Sequence, residues 1–232
     1  MTSQTQGEEK PHFLDLITFE GDATLQRDLR ALCTEFGHIF SDELGEQPAD
    51  IPPFEIKVNL EKWETYKNKG PVRPQTAQKE AEISKHVADM LKTGVIEPSR
   101  AIYTNHPVIV KKADGNFRFC IDFRNLNDCT EGGSWPLPNI KGTFARIGEK
   151  KPDIFGVMDL TSGYHQAPLH PAAKIFTAFI CSAGVYQFTR LPFGTPPKRA
   201  PSYFQQMMTS VVLFGLIYIV CEMYLDDCIV SS

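Results

Sequence analysis

The stretch from Ile217 to Val230 reads IYIVCEMYLDDCIV and places two aspartates inside an apolar run. Tyr224 and Leu225 precede Asp226 and Asp227, and apolar residues follow them. Apolar flanks predict burial, and burial disfavours ionised carboxylates. At an effective dielectric constant of ~20, two carboxylates ~5 Å apart repel each other by roughly 3 kcal/mol. The pair is therefore either a solvated, inert hairpin turn or part of a site that supplies positive charge.

A third aspartate occurs in a similar context. Asp159 ends an apolar run in GVMDLTSGY, as Asp226 does further along the chain. If the two strands are neighbours in one sheet, three carboxylates meet at its rim, and a tight hairpin turn lets both residues of the pair face one site. Mg²⁺ prefers carboxylate oxygens together with substrate phosphates. Two such ions can activate an attacking hydroxyl and stabilise a leaving phosphate, so the pattern predicts a divalent-metal site.

Other sites that use aspartate or histidine do not fit the spacing. An aspartic protease needs Asp-Thr/Ser-Gly in succession, but Leu160 follows Asp159. An aspartyl-phosphate enzyme needs a second aspartate two residues after the first, where Thr161 stands. No G-x-x-x-x-G-K-[ST] phosphate loop occurs. His165 and His170 are five residues apart, too far for a helical H-x-x-x-H pair, and are predicted to be surface or capping residues.

The composition is that of a soluble globular chain, with 232 residues, 42% hydrophobic and 22% charged. The net charge of −4 argues against a wholly basic nucleic-acid binder. Residues 1–100 carry 12 Lys and Arg against 18 Asp and Glu, whereas residues 101–232 carry 12 against 10. The second part of the chain is therefore where a phosphate-bearing partner is expected.

Targeting and cysteine signals point to an intracellular chain. No apolar run opens the sequence, so no signal peptide is predicted. The longest apolar run, Val211–Cys221, is shorter than the ~20 residues that span a bilayer. The six cysteines form no C-x-x-C pair and show no zinc spacing. We expect reduced and mostly buried thiols.

Periodicity predicts a mixed sequence of helices and strands. The first helix is amphipathic, with Thr24 as a possible N-cap and Gly37 as its stop, and an extended linker over residues 41–75 follows it. After the linker, the expected elements are a helix at Thr76–Lys92, a hairpin of Val108–Lys112 and Phe117–Phe123, a buried strand at Ile154–Leu160, a hairpin of Phe176–Ile180 and Val185–Arg190, a helix at Ala200–Val212 and a strand at Ile217–Tyr224. A short strand at Phe54–Val58 is the only regular element expected within the linker.

The first hairpin carries a cluster of cations. Lys111 and Lys112 precede its turn, and Arg118 follows on the polar face. A triphosphate held by metal on one side needs Lys and Arg on the other, which such a tip could provide. The alternative is a solvated hairpin in which Arg118, Asp122 and Arg124 pair along the strand.

Five segments in order resemble one family. VIEPSRAIYTNHPVIVKKADGNFRFCIDFRNLN resembles a polymerase fingers segment, and WPLPNI resembles the short motif that leads to the palm. GVMDLTSGYHQAPLH resembles the first palm motif, FTRLPFG with RAPSYFQQMM the second, and MYLDDCIV the Y-x-D-D box. Over residues 35–232 the chain is similar to reverse transcriptases of the Ty3/gypsy type, which belong to long-terminal-repeat retrotransposons.

The resemblance implies an α+β fold: the fingers and a partial palm of a right-hand polymerase, with an antiparallel sheet and without the thumb. It implies an N-terminal helix and Pro-rich linker over residues 1–75, a fingers region over 76–150 and a partial palm with the catalytic carboxylates over 151–232. Departures from the family include the segment TPPKR between Gly194 and Ala200, which is longer than the family usually has there, and Phe117 where Trp is usual.

The resemblance also assigns roles to residues. The catalytic residues would be Asp159, Asp226 and Asp227, and these with Leu160 would form the site for two Mg²⁺ ions, or alternatively Mn²⁺. The deoxynucleoside triphosphate would be bound by Lys112, Arg118, Tyr164, Phe193 and Gly194. Tyr224 and Leu225 would lie near the template–primer.

The function implied is RNA-directed DNA polymerisation by part of a retroelement polyprotein, acting on an RNA or DNA template with a primer. Its partners would be deoxynucleoside triphosphates and the other domains of the polyprotein, with no membrane. Its location would be the cytoplasm or virus-like particles. The alternative is a truncated, inactive remnant that at most binds nucleic acid. A different phosphoryl-transfer enzyme on a palm-like sheet is disfavoured by the fingers motifs.

Overall fold

The structure is a computed structural model, in which the chain divides into two compact units, one up to Glu43 and one from Leu44 to Ser232. It describes residues 13–41, 43–66, 70–111, 115, 117–131, 135–192 and 199–232. Within the described residues, no helix combines the length and the apolar character needed to cross a bilayer.

Five of the eight α-helices among the described residues begin at a capping side chain. The α-helices of the described residues are α1 (Ala23–Glu35), α2 (Leu60–Thr65), α3 (Ala77–Lys92), α4 (Arg124–Cys129), α5 (Ile140–Lys150), α6 (Gly163–Gln166), α7 (Pro171–Lys174) and α8 (Ala200–Met207), and short 3-10 helices lie at Phe13–Leu16, Gly37–Ile39 and Ile175–Thr177. A π-helical turn, Met208–Val212, continues α8, so the predicted helix over this whole stretch is confirmed.

The caps are set locally by short polar side chains. Thr76, where the second helix was predicted to begin, caps α3 and accepts the Lys79 N–H at 3.4 Å. The predicted cap of α1 is wrong by two residues, because Asp22 rather than Thr24 accepts the Leu25 N–H, at 2.8 Å. An aspartate in extended backbone just before the helix is an equally good acceptor.

Strands assemble into three small antiparallel sheets. The strands are β1 (Ile96–Pro98), β2 (Pro107–Lys111), β3 (Phe117–Ile121), β4 (Phe155–Asp159), β5 (Phe179–Cys181), β6 (Gly184–Phe188), β7 (Cys221–Tyr224) and β8 (Asp227–Ser231). Their order is β1-β6-β5 in one sheet, β2-β3 in the second and β4-β8-β7 in the third. Both predicted hairpins and both strands that lead to the aspartates are present, although β7 begins four residues later than predicted.

One hydrophobic core lies between α3, the hairpin β2-β3 and the sheet β1-β6-β5. Phe179 is fully buried, with its ring centroid 5.9 Å from that of Phe119 and 5.6 Å from that of Phe188. A second, smaller cluster lies against the sheet β4-β8-β7 and consists of Phe204, Met208, Cys221, Met223 and Cys228. The six cysteines are free thiols, and four of them are buried.

The Pro-rich segment after residue 43 is mostly extended, as predicted, but it contains helix α2, which was not predicted, and it is part of the core. Phe54, Ile56 and Trp63 are buried in the main cluster. The Phe54 N–H donates to the Pro168 carbonyl at 2.8 Å, and the Phe54 carbonyl accepts from the His170 N–H at 2.9 Å. Only isolated bridges form here, so the predicted strand at Phe54–Val58 is absent from this described segment. The larger compact unit therefore begins well before residue 76.

Arg190 holds the start of this segment. Its side chain is buried and donates to main-chain carbonyls of Gly45, at 2.9 Å, and of Glu46. Burial lowers the pKa of the Arg190 guanidinium. A buried cation at the end of β6 thus pins residues 45–46 to the core.

Three expectations about local environment are wrong. The strand β4 was expected to be buried, but all five of its residues are exposed, because no element of the described chain covers it. Helix α5 lies in a stretch where no helix was predicted. His165 is largely buried rather than a surface or capping residue, whereas His170 does cap α7 through the Ala172 N–H.

Candidate active site

The β4-β8-β7 sheet brings the three predicted aspartates to one end. Asp159 is the last residue of β4 and Asp227 the first of β8, and the register pairs them directly across the two strands. The Leu160 N–H donates to the main-chain oxygen of Asp226 at 3.4 Å, so Asp226 lies beside the same strand end. Since directly opposed residues project to the same face, the backbone brings Asp159 and Asp227 together.

The two adjacent aspartates do not form the hairpin turn together. Tyr224 pairs with Asp227, so the turn consists of Leu225 and Asp226. Leu225 has a φ of 58°, in the left-handed region that leucine rarely adopts. Asp226 is half-buried, whereas Asp159 and Asp227 are exposed. The pair therefore differs from a fully solvated Asp-Asp turn in both position and burial.

Asp226 packs against the start of α6. A Cβ added to Gly163 would lie 3.7 Å from the Asp226 Cβ, 3.3 Å from the Leu160 Cβ and 3.2 Å from the Phe204 ring. Any larger residue would press on these neighbours, so glycine at this position permits the close approach. Helix α6 can therefore lie directly against the aspartate turn.

Tyr164 is the aromatic neighbour of Asp226. Burial raises the pKa of the Tyr164 hydroxyl first, and the nearby charge of Asp226 raises it further. The ring stacks on Phe204 with centroids 5.0 Å apart. The predicted nucleotide-binding aromatic therefore does lie next to a predicted catalytic carboxylate.

The carboxylates do not form a ready-made metal cage. Among the residues that the structure describes, no group of three or more His, Cys, Asp or Glu side chains is arranged to hold a metal ion. The Leu160 carbonyl, a predicted ligand position, accepts the Gly163 N–H at 3.1 Å. The donor set still fits Mg²⁺, which binds hard oxygens and takes only one or two carboxylates alongside substrate phosphates.

The hairpin β2-β3 carries the predicted cations in a sheet of its own. Arg118 is exposed and lies opposite Val110, and it forms no ion pair with any residue that the structure describes. Arg124 instead grips Asp122 with two bonds of 2.8 and 2.6 Å and lowers the pKa of that carboxyl. The alternative prediction, that Arg118, Asp122 and Arg124 pair along the strand, therefore holds for Asp122 and Arg124 but not for Arg118.

Several predicted positions cannot be placed. Lys112, Phe193 and Gly194 lie outside the described residues, as does the TPPKR insertion except for Arg199. The predicted template–primer residues Tyr224 and Leu225 are both half-buried at the end of β7.

Sequence reasoning missed the polar groups beneath the aspartate turn. The side chain of Gln205 is fully buried on α8 and bonds to the main chain on both sides of Tyr224. The signal was available, because Gln205 follows Phe204 inside the apolar stripe of YFQQMM. A buried amide needs hydrogen-bond partners, but the sequence does not say which.

A second missed contact fixes α5 to the sheet. Arg146 on α5 binds Glu222 on β7 through two bonds of 2.8 and 2.6 Å, and its guanidinium lies 4.6 Å from the Tyr218 ring centroid. The Lys150 ammonium donates to two main-chain carbonyls, of Tyr218 at 2.9 Å and of Ile219 at 2.8 Å. Two helices therefore support the aspartate hairpin. Helix α8 does so through the bonds of Gln205, and helix α5 through the ion pair of Arg146 with Glu222 on β7.

Comparison with protein families gives one match over the second half of the chain. The family described as reverse transcriptase (RNA-dependent DNA polymerase) matches residues 110–232. That range contains all three aspartates and the hairpin β2-β3 except its first residues.

Curated relatives are retroelement polyproteins. The Pol polyprotein of the Drosophila melanogaster transposon opus is 33% identical over 223 residues, which cover 94% of this chain and 21% of that protein. The corresponding polyprotein of transposon gypsy is 37% identical over 65% of this chain and 15% of its own length. The Tf2-3 polyprotein of Schizosaccharomyces pombe is 28% identical over 95% of this chain and 16% of its own length. The chain thus spans about a fifth or less of these relatives.

Solved structures with the same fold come from a foamy virus. The foamy viral protease-reverse transcriptase in complex with RNA/DNA hybrid matches 91% of this chain and 27% of its own, with a TM-score of 0.71 and 20% identity. A prototype foamy virus protease-reverse transcriptase matches with a TM-score of 0.69 and 23% identity. At this identity the likeness concerns the fold alone, and it confirms the predicted α+β architecture.

Proposed function

We propose that this chain, which belongs to the reverse transcriptase (RNA-dependent DNA polymerase) family, forms the fingers and partial palm of an RNA-directed DNA polymerase from a long-terminal-repeat retrotransposon. The reaction joins a deoxynucleoside triphosphate to a primer: the 3′-oxygen bonds to the α-phosphorus as the bond to pyrophosphate breaks. The observation that carries this proposal is the register of β4 and β8, which sets Asp159 opposite Asp227 with Asp226 beside them.

The carboxylates would hold two divalent ions. Asp159, Asp226 and Asp227, with the carbonyl of Leu160, would be the ligands for Mg²⁺ or Mn²⁺. Bound ions would activate the primer hydroxyl and stabilise the departing pyrophosphate. The exposure of Asp159 and Asp227 supports this role, because substrate phosphates must reach the same site.

The nucleotide would lie between the aspartates and the cationic hairpin. Arg118 and Lys112 would bind the triphosphate through charge-assisted hydrogen bonds. The Tyr164 ring, held by its stack on Phe204, would exclude a ribose 2′-hydroxyl by its shape. Phe193 and Gly194 would begin the loop over the nucleotide and template.

The template–primer would be recognised by shape. Tyr224 and Leu225 would lie near the primer end, and most contacts would go to phosphates rather than to base edges. The foamy viral structure with an RNA/DNA hybrid supports such a partner for this fold. Fingers over 76–150 and palm over 151–232 would act with other domains of a polyprotein, in the cytoplasm or in virus-like particles.

A second candidate function is nucleic-acid binding without catalysis. It is favoured by the absence of a ready-made metal group among the described residues and by the exposed apolar side chains of β4. Both would be expected of a polymerase part that needs further protein to complete its site.

Primer extension separates the two candidates. This chain should extend a labelled DNA primer on an RNA template in the presence of Mg²⁺. Asp159→Asn and Asp226→Asn should each lower the rate by about 10³-fold or more, since charge stabilisation at the transition state is lost. Asp153→Asn is the matched control, because it removes the same charge at the opposite end of β4 and should leave extension unchanged.

The outcomes are distinct. Extension that survives both aspartate substitutions would contradict the carboxylate mechanism. Template–primer binding by the unaltered chain without any extension would favour the second candidate, and a filter-binding measurement on the same samples would detect it.

A further inference from the structure

Consecutive residues of α8 contact the two parts of the aspartate site. Phe204 stacks on Tyr164 and approaches Gly163, beside Asp226. The next residue, Gln205, turns its amide to the other side of the aspartate turn, toward Leu225. The helix is thus a single support for both neighbours of Asp226.

The Gln205 amide bridges the strand and the turn. Its Oε1 accepts the Leu225 N–H at 2.8 Å, and its Nε2 donates to the Met223 carbonyl at 3.2 Å. The side chain is 0% exposed, and Met223 is also buried. Water therefore cannot replace the amide without opening the core.

The turn that Gln205 bridges requires a backbone conformation that leucine does not favour. Leu225 occupies the first position of a two-residue hairpin turn with a φ of 58°. Glycine is the usual residue for positive φ at this position, and a side chain makes the conformation unfavourable. The hydrogen bond that the Leu225 N–H donates to Gln205 can offset this conformational cost.

We propose that Gln205 is a positioning residue that holds Leu225 in the left-handed conformation and thereby orients the Asp226 carboxylate next to Asp159 and Asp227. The proposal rests on the proposed function for its consequence, which is the affinity of the carboxylate site for a divalent ion. Gln205 itself acts only through the main chain of the turn.

Substitutions at Gln205 separate its two hydrogen bonds. Gln205→Met keeps the length of the side chain but removes both bonds. Gln205→Glu keeps an acceptor for the Leu225 N–H but cannot donate to the Met223 carbonyl, and it adds a buried charge near three carboxylates. Gln206→Met is the matched control. It makes the same change at the next position of α8, where the bond from the Thr209 hydroxyl goes to the main-chain carbonyl of Gln206.

The first measurement is hydrogen exchange, which needs neither metal nor activity. In Gln205→Met, exchange of the Leu225 amide should accelerate by about tenfold or more beyond the change seen at core amides such as that of Phe179. Gln206→Met should leave the Leu225 amide unchanged. Equal protection of Leu225 in Gln205→Met and the unaltered chain would overturn the proposal.

The second measurement is binding of Mn²⁺ alone, followed by its paramagnetic resonance signal. Gln205→Met should weaken Mn²⁺ binding about tenfold, as loss of an outer hydrogen bond does at metal sites. Adding Leu225→Gly should restore much of the loss, because glycine adopts a positive φ without help. A purely structural role of Gln205 predicts no such rescue, and that result would overturn the proposal.

Failure of the proposed function gives a different pattern. If the unaltered chain binds no Mn²⁺, the metal site is wrong, while the exchange of the Leu225 amide still decides the role of Gln205. If Gln205→Met does not fold, Gln205→Glu tests the bond to the Met223 carbonyl, and the double variant Gln205→Met/Leu225→Gly tests the bond to the Leu225 N–H.

Discussion

Two three-stranded antiparallel sheets in this molecule differ in how completely they are covered. In β1-β6-β5, Phe179 and Phe188 are almost completely buried within the main core. In β4-β8-β7, every residue of β4 is exposed, and Phe155 and Val157 are 57% and 73% exposed. An apolar strand sequence therefore predicts membership of a sheet but not burial. This second sheet, uncovered along β4 although β7 is largely buried, is also the one that carries the aspartates and is called the uncovered sheet below.

The largest effect should come from the covered sheet. Phe179→Ala should lower the free energy of unfolding by about 3–5 kcal/mol, because it leaves a cavity among packed aromatic rings. Phe155→Ala makes the same change on β4 and should cost less than about 1 kcal/mol. Urea unfolding followed by circular dichroism would measure both. Equal losses would mean that β4 is covered in solution and would break the comparison.

The next effect tests the one strongly buried charge in the uncovered sheet. Arg146→Met leaves the Glu222 carboxylate, whose side chain is 4% exposed, without its partner, and should cost about 3 kcal/mol. Arg124→Met removes a similar two-bond contact whose arginine is 80% exposed, and should cost much less, because solvent screens the pair.

The two arginine variants can be checked by denaturant unfolding, with the double variant Arg146→Met/Glu222→Leu as a further test. The double variant should recover most of the lost stability, because no unpaired charge remains buried. A double variant as unstable as Arg146→Met alone would show that packing of α5, and not the charge, is what the arginine provides.

The pH dependence should come from the covered region. Burial lowers the pKa of His165 to about 4 from 6.5, and its ring lies 6.4 Å from that of Phe188. The unfolded chain therefore takes up a proton at His165 below pH 6.5 while the folded chain does not. Stability should fall by roughly 1.4 kcal/mol per pH unit between pH 6.5 and 4, by about 3 kcal/mol in all.

Unfolding at several pH values would measure this slope. His165→Gln removes the titrating group and should flatten that part of the profile. The same slope in His165→Gln as in the unaltered chain would assign the effect to other groups, such as His106, whose pKa burial also lowers.

The smallest effect should be the same in both regions. Thr76 caps α3 beside the covered sheet, and Asn139 caps α5 beside the uncovered one, accepting the Lys141 N–H at 2.9 Å. Thr76→Ala and Asn139→Ala should each cost about 1 kcal/mol, since capping is local. Thermal unfolding of the two variants should agree within about 0.5 kcal/mol, and a much larger loss for one would show that its helix supports more than itself.

Local features were predictable from the sequence because their causes are local. The cap at Thr76, the hairpin β2-β3 and the strand ends at Asp159 and Asp226 follow from residues within a few positions of each other. The reverse transcriptase resemblance, now confirmed at the family level, was carried by such short motifs.

Other features depend on contacts between distant residues. Strand β4 is exposed because no element of the described chain packs against it, which its own sequence does not indicate. The amide of Gln205 bonds to Leu225, which lies 20 positions away in the sequence. Helix α5 is a different case, because its sequence does carry a helical signal: Ile140, Phe144 and Ile147 follow helical spacing after the capping Asn139. The prolines just before them favoured the prediction of a loop.

The extended segment after residue 43 has a consequence for the order in which the chain folds during synthesis. Gly45 bonds to a side chain 145 residues later, and Pro52 accepts from Tyr203, 151 residues later. At ribosomal rates of roughly 5–20 residues per second, these partners follow after about 7–30 s. Phe54, whose ring centroid lies 4.8 Å from that of Tyr203, must wait that long for this neighbour, so the nascent chain presents an aromatic side chain to chaperones before its core can close.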